Sequence, residues 1–301
     1  MSDDRPGQEG PWAPRGVAAT AALRQTWESL AEVCHELSDT EWALPTECPG
    51  WDVKDQLSHL IGVEWMLLGK PAPQWDGPLG EHVKNDFAAS NEPWIAVRRP
   101  FPGPTVQAEF VEVTGIRLAQ LKELDEAGWA AVGPSPVGNV QRAVFMEVRV
   151  FDSWVHEQDV RLALDRPGGD GNDASAMALD RVEGAMGFVV GKKAACPDGT
   201  AVRFEVSGPG ADARTFTLAV ADGRAGPVGG VDGVGRARGG SADGVGGDVA
   251  PTVTLSMSNI DFVRLGCGRA TAERLGAAGR IGVEGDAAVA QSVLGAMNFM
   301  F

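Results

Sequence analysis

The 301-residue chain reads as an α+β protein, an N-terminal four-helix bundle followed by a smaller mixed α/β domain. Three observations lead there. From Val17 to about residue 165, apolar residues recur at helical spacing in four segments. From about residue 200 the spacing changes to strand-like alternation. Between the two textures the chain runs through "RPGGDG", a helix stop. These features divide the chain into a lead-in over 1–15, a bundle over 16–170 and an α/β domain over 171–301.

The lead-in "MSDDRPGQEGPWAPR" is polar and rich in Pro and Gly, the composition of a disordered terminus. In "AATAALRQTWESLAEVCHEL", Leu23, Trp27, Leu30 and Cys34 share one face of a first helix. "PTECPGW" breaks it. Asp52 is the expected N-cap of the second helix, with Asp55 in the place of a capping-box acid. The apolar stripe of that helix is Val53, Leu57, Leu60, Ile61, Leu67 and Leu68, and Gly69 and Pro71 end it. The polar, Pro-rich stretch 70–104 has room for a short helix in "GEHVKNDFAASNE". A third long helix is expected over 105–126, a fourth over 141–165 and a fifth over 174–194. The fifth could belong to either domain, which puts the boundary near 170 or near 196.

"TAVRFEVSG" and "ARTFTLAVAD" alternate like strands around "PGAD", a hairpin signal. Eleven residues of 222–250 are Gly, a composition for a flexible loop rather than a packed element. "PTVTLSMS" and "GRIGVEGD" read as further strands, "NIDFVRLGCG" and "DAAVAQSVLGAM" as short helices.

With 41 acidic against 26 basic residues the net charge is -15. That repels phosphate backbones and argues against a nucleic-acid partner. No apolar run approaches the ~20 residues of a membrane span, and the N-terminus lacks the apolar core of a secretory signal. A cytoplasmic protein without a membrane partner is the expectation. The four Cys are scattered with no C-x-x-C pair, so free thiols are expected in a reducing compartment.

In "DSWVHEQDVR", Asp152 and His156 are four apart on the fourth helix and face the same way. Carboxylate oxygen and imidazole nitrogen are ligand types for divalent metals, and a catalytic site takes three of them with one position open. Val148, Val155 and Leu162 lie on the same face, where an unpaired charge is costly. The pair therefore is either a metal site or an ion pair. Of the other histidines, His59 is the best third ligand, because facing helices of a bundle can converge on one ion. His35, at the end of the first helix, is expected to face solvent or the helix terminus. His82 lies in a polar segment and is a weaker candidate for contact with a substrate.

These residues also carry a resemblance. "ECPGWDVKDQLSHLIGVEWMLLG" and "FDSWVHEQDVRLALDRPG" resemble the two signatures of the mycothiol-dependent maleylpyruvate isomerase family. "FVRLGCGR" and "VEGDAAVAQSVL" look like its C-terminal domain. The resemblance implies a DinB-like metal-binding bundle followed by a sterol-carrier-like domain. It implies zinc, or another divalent metal, held by His59, Asp152 and His156. It also implies mycothiol as cosubstrate, its sulfur on the open metal position, attacking a small electrophilic molecule by cis–trans isomerisation or thiol S-transfer. Asp152 stands where the isomerase itself has Glu. Being one methylene shorter, it would draw the ion towards its helix or hold it more loosely.

Two more residues are candidates for catalysis. Asp159 could orient the free ring nitrogen of a ligand, or pair with Arg161 or a Lys. Arg269 could grip a substrate carboxylate with its fork, or form a structural salt bridge. Trp51 and Trp65 read as packing first and pocket walls second. Asn91, Glu92, Arg98 and Arg99 could border the site, with solvated loop polarity as the default reading. Cys48 and Cys267 have no neighbouring base to activate them. The alternative to an enzyme is a binding protein that takes an apolar ligand in its sterol-carrier-like domain, with the bundle as scaffold.

Overall fold

A computed structural model of the chain describes residues 11–229 and 249–300. The helical part comprises α1 (Trp12–Val33), α2 (Asp39–Trp42), α3 (Val53–Leu67), α4 (Asp86–Ala96), α5 (Gly103–Lys122) and α6 (Glu126–Ala130). After a two-strand ribbon, β1 (Val132–Gly133) and β2 (Val140–Gln141), come α7 (Arg142–Ala163) and α8 (Asp173–Phe188). A π-turn over Val189–Lys193 leads to β3 (Ala201–Ser207), β4 (Arg214–Ala221) and β5 (Arg224–Pro227). The chain ends with β6 (Val253–Ser258), α9 (Asn259–Gly266), α10 (Ala272–Ala277), β7 (Gly282–Gly285) and α11 (Ala287–Ala296). None of these helices is long and apolar enough to cross a membrane.

The four long helices α1, α3, α5 and α7 form the bundle. α1 packs along α7 and α5, and α3 packs between α5 and α7. Leu23, Trp27 and Leu30 of the predicted α1 face are buried, as are Val53, Leu57, Leu60 and Ile61 of α3. Asp52 caps α3 by accepting the Asp55 amide at 2.8 Å. Asp55 does not complete a capping box; its carboxylate is drawn off by Arg99, 3.1 Å away. α1 begins at Trp12, so residues 12–15 of the expected lead-in are helical. The amides of Trp12 and Ala13 donate to Glu126 of α6, an anchor that local composition does not reveal.

α8 packs against α7 and α1 on one side and against β5 and α9 on the other, so the fifth helix joins the two domains. The five-stranded sheet has the order β5-β4-β3-β6-β7, with β3 and β6 parallel and the other pairs antiparallel. Phe204, Phe216 and Phe262 stack between the sheet and α9. Part of the Gly-rich segment departs from the loop expectation: Arg224–Pro227 pair with β4 as an edge strand. The rest of that segment, 230–248, and residues 1–10 of the lead-in lie outside the described residues.

A fully buried carboxylate locks the joint between the domains. Asp212 follows β3 and accepts from the Gly171 amide at 2.8 Å, Ser175 Oγ at 2.8 Å and Asn259 Nδ2 at 2.9 Å. Asp212→Ala leaves three donors without their acceptor. It should lower the unfolding free energy by about 3 kcal/mol in urea denaturation.

Candidate metal centre

α7 turns Asp152 and His156 towards α3, where His59 faces them. The nearest ligand-type atoms of the three residues lie within 4.8 Å of one another. His59 Nε2 is 3.4 Å from Asp152 Oδ2, and His156 Nε2 is 3.6 Å from Asp152 Oδ1. The two imidazoles meet edge to face, 4.7 Å between centroids. Both are buried, whereas the Asp152 side chain is 29% exposed, so the cluster opens on the side of the carboxylate.

Among the described residues neither ring nitrogen of His59 has a hydrogen-bond partner, the contact with Asp152 being out of line for one. A buried polar side chain without a partner is rare and calls for an explanation. Burial pushes the pKa of His59 down, against the pull of Asp152, so the ring is held neutral with a lone pair to give. That is the state a metal ligand needs, and two imidazoles with a carboxylate suit a borderline divalent ion such as zinc.

His156 is fixed from behind. Its Nδ1–H donates to Gln56 Oε1 at 2.5 Å, and Asp159 Oδ2 lies 3.3 Å from the same nitrogen. Gln56 is held in turn, donating to Thr46 Oγ1 at 2.6 Å. Nε2 is therefore the nitrogen that faces Asp152. Burial opposes a charge on this ring, but its bonds to Asp152 and Asp159 outweigh that and raise its pKa.

Asp152 is steadied by Arg149, one turn earlier on α7, whose Nη1 donates to Oδ2. Arg149 also grips Glu64 of α3 with Nε and Nη2, at 2.9 and 2.8 Å. Glu64 takes Arg117 of α5 on its other oxygen at 3.1 Å. Burial alone would raise the pKa of Asp152; Arg149 overcomes it and holds the carboxyl well below its usual range.

Asp159 meets Arg269, which follows α9 in the C-terminal domain. Nε and Nη2 of the guanidinium clasp the carboxylate at 2.9–3.1 Å. Arg161, two residues from Asp159 and so on another side of the helix, pairs with Glu157 at 2.8 Å instead. Of the two expectations for Arg269, the geometry matches the salt bridge, since the fork is turned onto Asp159. A second clasp sits nearby: Arg264 of α9 donates twice to Glu47, at 2.6 and 2.7 Å. Both contacts press the C-terminal domain against the elements that carry the site.

Trp51 stands beside the histidines. Trp65, further along α3, donates to Glu109 of α5. Arg98 grips Glu109, and Arg99 pairs with Asp55. Glu92, expected as loop charge, is 2% exposed and contacts His82. His35 is exposed, its Nδ1 3.9 Å from Glu36 Oε2. Burial pushes the thiols of Cys34, Cys48 and Cys267 up to about 12, so none is a thiolate at neutral pH. Gln56 and Arg149 went unnoticed in the sequence, although each lies three residues before a ligand candidate on the same helix face. Glu64 and Arg117 left no such signal, because their partners come from other helices.

The fold and the cluster define a two-domain protein, a helical bundle with two histidines and a carboxylate at its centre and an α/β domain docked beside them. Residues 23–161 match the mycothiol maleylpyruvate isomerase N-terminal domain, and residues 198–298 match the SCP-2 sterol transfer family. Both parts of the resemblance carried by the motifs are thus matched, the bundle by the first model and the α/β domain by the second. A crystal structure of that isomerase aligns with 87% of this chain and 90% of its own, at 15% identity and a TM-score of 0.44. A histidine-to-alanine variant of it aligns over the same shares at 16% identity and the same TM-score. No curated protein sequence matches the chain.

The Arg117–Glu64–Arg149 chain generates a prediction of its own. Glu64→Gln leaves two buried guanidinium groups short of a counter-charge and should cost about 3–5 kcal/mol of stability. Urea unfolding followed by circular dichroism reads this directly.

Proposed function

We propose that His59, Asp152 and His156 hold a divalent metal ion, zinc, and that the protein uses it with a low-molecular-weight thiol, mycothiol, to attack a small electrophile. The observation that carries this reading is His59, a buried neutral imidazole with no hydrogen-bond partner among the described residues, aimed at a carboxylate and a second imidazole. When bound, such an ion would supply acidification of a coordinated thiol, making it a nucleophilic thiolate at neutral pH.

The chain's own residues prepare that chemistry. His59 brings a lone pair that burial keeps unprotonated. His156, tethered at Nδ1 by Gln56 and Asp159, presents Nε2 and would release its proton there on binding a cation. Asp152 is kept ionised by Arg149, ready to accept a positive partner. Asp159 acts as the carboxylate that orients His156, and Arg269 keeps Asp159 in place from the other domain. In this reading Arg269 serves the site through Asp159. Cis–trans isomerisation and thiol S-transfer both begin with the same thiolate addition to an electrophilic carbon, and the match of the bundle to the mycothiol maleylpyruvate isomerase N-terminal domain favours the isomerase type.

The SCP-2 domain is the only support for a non-catalytic, apolar-ligand role. Its side facing α9 is filled by the protein's own Phe204, Phe216 and Phe262.

Metal analysis is the direct test. Protein purified without chelator should carry close to one zinc per chain, and His59→Ala and His156→Ala should lose it while remaining folded. Metal-free wild-type protein that takes up no zinc on titration would sink the proposal. Arg269→Ala, which frees Asp159 from its clasp, should weaken zinc binding about 10- to 100-fold in a competition with a chromogenic chelator.

A further inference from the structure

Beside the cluster lies a second set of linked groups that the proposal leaves without a role: Trp51, Glu92 and His82. Trp51 ends the turn before α3, and its ring lies 5.1 Å from that of His59 and 5.7 Å from that of His156. One indole thus walls both imidazoles. Its Nε1–H donates to Glu92 Oε1 at 3.2 Å. Glu92, in α4, is 2% exposed, where a carboxylate must be partnered. The same Oε1 meets His82 Nε2 at 2.9 Å, and Arg99 Nη1 lies 3.7 Å from Oε2.

His82 comes from residues 69–85, a connection between α3 and α4 with no helix or strand of its own. Its ring is seated on two glycines. A Cβ on Gly50 would fall 2.3 Å from Nδ1, and one on Gly80 would fall 2.5 Å from the ring. Gly50 also has φ +81°, so the turn that delivers Trp51 requires glycine for its backbone as well as for the seat.

We infer that Glu92 and His82 are positioning residues for Trp51, and that residues 69–85 form a strap latched by the His82–Glu92 contact. A single carboxylate oxygen joins strap and indole, so the wall over the two histidines is set only while the strap is seated. The inference deepens the proposed function, since that wall decides from which side a ligand reaches the imidazoles. The latch itself is testable without metal.

The test uses the full chain with no metal added. The indole 1H–15N signal of Trp51, assigned by its loss in Trp51→Phe, reports the bond to Glu92. His82→Ala removes the latch, and Gly80→Ala unseats it without touching Glu92. Each should shift that signal, speed exchange of its proton about tenfold and raise amide exchange across 69–85. His82→Gln keeps a donor and should restore much of the protection. An unmoved Trp51 signal in both His82→Ala and Gly80→Ala overturns the inference. Cobalt-loaded His82→Ala should keep its metal but bind 2-mercaptoethanol more weakly than wild type, followed by visible absorption. Wild-type protein that takes up no cobalt would count against the metal reading alone, because the indole signal decides the latch.

Discussion

Charges inside the helical domain are tolerated only in pairs, and that constraint organises the site. Moving an ion out of water costs several kcal/mol unless an opposite charge with good geometry replaces the solvent. Glu64 is 1% exposed and sits between Arg117 and Arg149. Arg149 spends the rest of its guanidinium on Asp152. Three long helices, α3, α5 and α7, are thereby tied at one level of the bundle, and the carboxylate of the candidate centre is the end of the chain. Asp152 keeps its place because a buried ion network three residues deep keeps Arg149 in place.

The same constraint reaches across the domain boundary. Asp159 is 2% exposed on α7 and could not stay ionised there alone. Its cation is Arg269, contributed by the α/β domain. The second domain is thus part of the structure behind His156, besides being attached to the bundle through α8. Removing it would leave a buried carboxylate next to a ligand candidate without its counter-charge. Glu47, clasped by Arg264, draws the turn before α3 into the same interface.

Much of the architecture was legible from residue spacing. The long helices and every strand of the sheet but β5 declare themselves in the sequence, most of them because burial on one face leaves an imprint every 3.6 or 2 residues. Asp152 and His156 were legible as a pair for the same reason, and His59 by its place on a capped helix. Glu92 was misread as solvated charge, since nothing in "SNEPW" shows that Trp51 and His82 will close over it. Arg224–Pro227 were misread as loop because an edge strand takes its pairing from β4 and needs little from its own side chains. The start of α1 at Trp12 depends on Glu126, more than a hundred residues away.

The sequence by itself determined the two-domain α+β plan, the resemblance to a family and the pairing of a carboxylate with an imidazole, because local periodicity, capping and short motifs are properties of neighbouring residues. Only the tertiary structure decided that His59 has no hydrogen-bond partner among the described residues, that Arg269 closes on Asp159 and that Arg149 steadies Asp152. Those facts concern desolvation and counter-charges. Both depend on what the fold brings within a few ångströms, from helices and domains far apart along the chain.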